Sequence, residues 1–69
     1  MENFTKREQE IINLLLEGKS NKEIAKELYI SFHTVKTTLE NIYLKTGIHN
    51  RLLLAIYIVK NYNKNSLKV

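Results

Sequence analysis

Cysteine, proline and aspartate are absent from this 69-residue chain, and glycine occurs only twice. Without cysteine there is neither a disulfide framework nor a thiolate metal site, and nothing points to an oxidising compartment. With only His33 and His49, no aspartate and no glycine-rich phosphate loop, no catalytic triad or metal-ligand set can be assembled. The sequence therefore argues against an enzyme and gives no reason to expect a cofactor or a small-molecule ligand. No apolar run reaches the roughly 18 residues needed to span a bilayer, and Met1 to Lys6 has no signal-peptide pattern. A cytoplasmic protein is expected, neither exported nor membrane-spanning.

What the chain does have is basic charge and helical periodicity. Eleven Lys and Arg against seven acidic residues give a formal net charge of +4 and a pI near 9.5, a balance that favours a polyanionic partner. The length allows one domain, 1–69, with a core small enough to gain from a partner subunit or a bound ligand. No proline interrupts it and no alternation of strand length is visible, so the chain reads as all-α, a four-helix bundle.

Thr5 and Glu8 form a capping box that follows a short lead-in, Met1 to Phe4, and opens a first helix. Its apolar stripe is Ile11, Ile12, Leu14, Leu15 and Leu16, and Gly18 closes it. Ser20 and Glu23 repeat the box before a short second helix carrying Ile24, Ala25 and Leu28, which stops near Tyr29. Ser31 caps a third helix, 31–46, with Ile30 placed to staple on Val35 and Gly47 where a helix ends left-handed. Only Tyr29 and Ile30 separate these two helices, so the pair reads as a central helix-turn-helix. On the third helix Val35, Leu39 and Ile42 share one face. His33, Lys36, Thr37 and Glu40 fall on or near the opposite face, short and polar, of the kind that fits a DNA major groove. Asn50 caps a last helix, 51–61, and residues 62–69 are polar enough to fray.

From Leu52 to Val59 apolar side chains cover nearly every direction around that last helix, in a protein too small to bury a helix on all sides. An exposed apolar patch of this kind marks an interface, and two-fold self-association is its commonest use. A homodimer through this helix is expected, with Leu53, Ile56, Tyr57 and Lys60 at the contact. By charge alone Lys60 reads, like Lys64 and Lys68, as a solvated lysine.

Taken together, Thr5, Arg7, Glu8, Glu10, Leu14, Leu15, Gly18, Ser20-Asn21-Lys22-Glu23-Ile24-Ala25, Leu28, Ile30-Ser31, Thr34-Val35-Lys36, Asn41-Ile42, Lys45, Gly47 and Asn50-Arg51 resemble the LuxR/GerE-type helix-turn-helix domain. The resemblance runs from Phe4 to about Val59. It implies a four-helix bacterial transcription regulator that binds double-stranded DNA as a dimer, with the third helix in the major groove and the fourth at the dimer contact. RNA polymerase becomes a further candidate partner and the nucleoid the place of action. Members usually carry the domain behind a receiver or sensor, whereas four residues precede it here, so a stand-alone, GerE-like regulator is expected. The alternative is a DNA-binding fragment of a larger response regulator. Thr38, Thr46 and Leu54 stand where the family frequently has His, Leu and Ala.

The resemblance places Lys36 at a base-contacting position, where it would donate to guanine O6 and N7. Thr37 offers a methyl to thymine and a hydroxyl to a base or phosphate. Glu40, one turn after Lys36, either accepts from cytosine N4 or pairs with Lys36; the pair is the favoured reading, although its Lys-to-Glu order is the weaker orientation. His33 reaches a base edge or phosphate, or is simply an exposed helix-start residue, the two weighing evenly. Asn21, Lys22, Thr34, Asn41 and Lys45 resemble phosphate-contacting positions, and Ser20 and Ser31 add helix N-terminal N–H groups to their capping role. The rival readings are a non-DNA protein-interaction adaptor using the apolar last helix, and a fold like the DNA-binding part of sigma factors. Steeply salt-dependent DNA binding would separate the adaptor from a regulator.

Overall fold

The computed structural model describes residues 4–62, which form four helices with no strand among the described residues. They are α1 Lys6–Leu16, α2 Asn21–Leu28, α3 Phe32–Thr46 and α4 Arg51–Asn61. Each begins at the expected cap. Thr5 and Ser20 accept from the N–H of Glu8 and Glu23, and the two carboxylates return bonds to the cap N–H groups at 2.8 and 2.7 Å. Ser31 accepts from the Thr34 N–H at 3.0 Å and Asn50 from the Leu53 N–H at 2.9 Å. These caps satisfy donors that a first helical turn leaves bare, and replacing such a residue by alanine costs about 0.5–2 kcal/mol.

The apolar faces meet in a single core. Ile11, Ile24, Val35, Ile42 and Leu54 are fully buried, with Ile12, Leu14, Leu15, Ala25, Leu39 and Ile58 close around them. α1 touches all three other helices, α2 and α3 lie together across the turn, and α4 rests on α1. The centre of the fold is therefore α1, and α3 is free to turn its polar side outward.

Two of the interhelical turns use one device. After α1, Gly18 is left-handed at φ 85° and the Lys19 N–H returns to the Leu14 carbonyl at 3.1 Å. After α2, Tyr29 is left-handed at φ 59° and the Ile30 N–H returns to the Ala25 carbonyl at 3.0 Å. Both are Schellman closures, but the second carries a residue with a Cβ.

The ends of the fold differ from expectation. Phe4 is buried in the core rather than being a lead-in. Tyr62, expected to fray, packs edge-on against Phe4 with ring centroids 6.1 Å apart and against Tyr57 at 5.8 Å, and its hydroxyl lies 3.2 Å from that of Tyr57. Phe4, from the far end of the chain, here meets Tyr62 and, through it, Tyr57, which a reading by local polarity misses. Residues 1–3 and 63–69, with Lys64 and Lys68, lie outside the described residues. Thr46 and Leu54 are both accommodated. The Thr46 hydroxyl shares its hydrogen between the Ile42 and Tyr43 carbonyls and accepts from the Ile48 N–H, while Leu54 is fully buried.

Candidate nucleic-acid interface

With Val35, Leu39 and Ile42 anchored in the core, helical geometry turns His33, Lys36, Thr37, Glu40 and Asn41 to solvent, and all five are exposed. From residue 33 to residue 40 this stripe is about 10 Å long, within reach of a major groove about 12 Å wide. Lys36 makes no ion pair among the described residues. The expected Lys36–Glu40 pair is thus not formed: its orientation is the weaker one, and both side chains are well hydrated. Glu40 instead borders a shallow depression with Tyr43, Leu44 and His49, where the Tyr43 and His49 rings lie 6.1 Å apart.

At the head of α3 the Ser31 and Thr34 hydroxyls lie 2.8 Å apart while Ser31 also accepts from the Thr34 N–H. Each hydroxyl has one hydrogen and only one can lie between them, so one remains to donate outward. At the head of α2, Ser20 is held in its capping box and Lys22 is exposed without an ion pair among the described residues. Asn21 is half-buried because Arg51, at the first position of α4, donates to its Oδ1 at 2.6 Å and to the Lys19 carbonyl at 2.5 Å. That bridge had no local signal in the sequence, since its ends are 30 residues apart.

Lys45, expected at a phosphate, also makes an ion pair within the fold. Its Nζ lies 2.6 Å from Oε1 of the buried Glu8 and 5.9 Å above the centre of the Phe4 ring, so its charge is paired within the fold while 34% of the side chain stays exposed. Burial pushes the Glu8 carboxyl up, but the hydrogen bond from Lys45, the Thr5 N–H and the Lys45 charge outweigh it and hold the group below its usual 4.5. Glu8 was legible as half of a capping box; its partner 37 residues away was not. Sequence reasoning also passed over two exposed aromatics beside the α2–α3 turn, Tyr29 at 94% exposure and Phe32 at 49%.

On α4, Leu52, Leu53, Ile56 and Val59 are exposed, and an open apolar groove runs between Leu16, Ala55, Ile56, Val59 and Lys60. Leu53, Ile56 and Lys60 face outward as expected. Tyr57 is half-buried and turned to Tyr62. Among the described residues no helix is long and apolar enough to cross a membrane, and no three His, Asp or Glu side chains are grouped to hold a metal ion.

The sequence matches the family described as bacterial regulatory proteins, luxR family, over residues 2–58. It is 47% identical over 64 residues to the transcriptional regulatory protein LiaR of Bacillus subtilis, covering 93% of this chain and 30% of the relative. The transcriptional regulatory protein YhcZ of the same organism is 44% identical over 62 residues, with 90% and 28% covered. The monoamine regulon transcriptional regulator of Klebsiella aerogenes is 53% identical over 48 residues, with 70% and 21% covered. The chain spans less than a third of the length of these relatives. Four capped helices, a tight turn joining α2 to α3, and a family match across most of the sequence lead to one conclusion: the chain belongs to the luxR family of bacterial regulatory proteins, as its helix-turn-helix DNA-binding domain.

Proposed function

We propose that the domain reads operator DNA as a two-fold dimer, with α3 in the major groove and α4 at the dimer contact. The observation that carries this is the exposed stripe His33, Lys36, Thr37 and Glu40 on a helix whose other face is locked in the core. Lys36 donates to guanine O6 and N7, Thr37 meets a thymine methyl or a phosphate, and His33 and Glu40 reach the neighbouring base edges. Ser20, Asn21, Lys22, Ser31, Thr34 and Asn41 line the groove rim and hold phosphates, so they set register rather than sequence. Lys45 is left out of this set, because Glu8 holds it. The dimer contact is built from Leu52, Leu53, Ile56, Val59 and Lys60, with Tyr57 at its edge. The domain acts in the same way alone or within a longer response regulator, in the cytoplasm on the nucleoid, with RNA polymerase as the further partner a regulator requires.

Selection of bound sequences from a random duplex library, with the mass of the complex measured alongside, tests the reading. A dimer should recover two half-sites about 10 base pairs apart centre to centre, or a multiple of that. Recovery of nothing above random sequence would overturn it in favour of a protein-interaction adaptor.

A further inference from the structure

We infer that Arg51 is a positioning residue for DNA binding, one that turns the Asn21 amide so that its NH2 group rather than its oxygen faces a backbone phosphate. The inference rests on the major-groove reading above. Arg51 opens α4, yet its guanidinium reaches the head of α2, where one nitrogen donates to Asn21 Oδ1 and the other to the Lys19 carbonyl beside the Ser20 cap. An asparagine side chain has an accepting end and a donating end, and in water either can point outward. A guanidinium has only donors, so only the oxygen can face it. The NH2 group is thereby turned away from Arg51, and no described residue accepts from it. A donor presented in the first turn of α2, next to the exposed Lys22, suits a phosphate oxygen; a carbonyl presented there would oppose one. The planar fork holds the amide and the Lys19 carbonyl at once, which the single ammonium of a lysine does less well.

The test uses the full chain and a labelled random-sequence duplex, so that no operator need be known. Asn21→Asp should keep or raise the melting temperature, because a carboxylate pairs with Arg51 and suits the positive end of the α2 dipole. Its DNA affinity should nevertheless fall by about tenfold, and below that of Asn21→Ala, since it can present only an oxygen to the phosphate. Arg51→Lys, which preserves net charge, should weaken binding in the native background and add nothing in the Asn21→Ala background. Equal losses in both backgrounds would overturn the inference, because Arg51 would then act on DNA without Asn21. Binding by Asn21→Asp equal to or tighter than by Asn21→Ala would overturn it as well, and this comparison stands even if Arg51→Lys fails to fold. Absence of salt-dependent duplex binding by the unaltered chain would instead remove the DNA reading itself, and the inference with it.

Discussion

Tyr29 and Gly47 hold the same left-handed backbone, at φ 59° and 75°, with opposite consequences for substitution. In Tyr29→Gly the left-handed cost of about 1–2 kcal/mol is relieved, against about 0.4–1 kcal/mol of added chain entropy in the unfolded state. Because the side chain is 94% exposed, no packing is lost, and a net gain near 0.5 kcal/mol should appear in denaturant titration. Gly47→Ala incurs that left-handed cost with the entropy change reversed, and should lose about 0.5–1 kcal/mol for the backbone reason alone, since an added Cβ meets no atom within 4 Å. Glu8 supplies a pH-dependent counterpart. Its folded-state pKa is lowered, so its contribution is present above 4.5 and is lost as pH falls through the folded value. Glu8→Gln should therefore cost about 1–2 kcal/mol at neutral pH, with the gap to the native chain closing in acid. The same residue marks the limit of the sequence reading. Its bond to the Thr5 N–H lies within one turn and could be read from spacing; its bond to Lys45, like that of Arg51 to Asn21, depends on how distant helices cross.

Helix starts and stops were legible because caps and left-handed closures are local chemistry, and α3 ends at Gly47 just as its sequence implies. What local chemistry did not reveal was which helix the others surround, nor that Phe4, Tyr57 and Tyr62 close the fold at its ends. Adjacent residues on α4 illustrate the division between core and candidate interface. Leu54 is fully buried and Leu53 is 56% exposed. Leu54→Ala should destabilise the chain by about 2–5 kcal/mol. Leu53→Glu combined with Ile56→Glu should leave it folded but reduce the mass seen by light scattering to that of one chain; an unchanged mass would exclude α4 as the contact. On α3 and α2 a second pair separates base readout from phosphate contact. Lys36→Ala should weaken binding to the selected site by about 1–3 kcal/mol and relax its sequence preference, while Lys22→Ala weakens all duplexes alike.

For the whole molecule, the net charge of +4 is a statement about partners rather than about fold. If phosphate contacts dominate the affinity, log K falls linearly with log salt, by about 0.9 for each phosphate neutralised. Lys22→Ala should lower that slope by about 1, and a slope indifferent to the substitution would remove Lys22 from the interface. The family and the class of partner were legible because charge, caps and the helix-turn-helix spacing are properties of the sequence itself. The exposed turn also has a meaning for the gene. Tyrosine and asparagine codons differ at one base, and asparagine tolerates the left-handed region far better than an aromatic residue does. A laboratory selection for heat tolerance would therefore reach Tyr29→Asn by a single nucleotide change, whereas glycine requires a second.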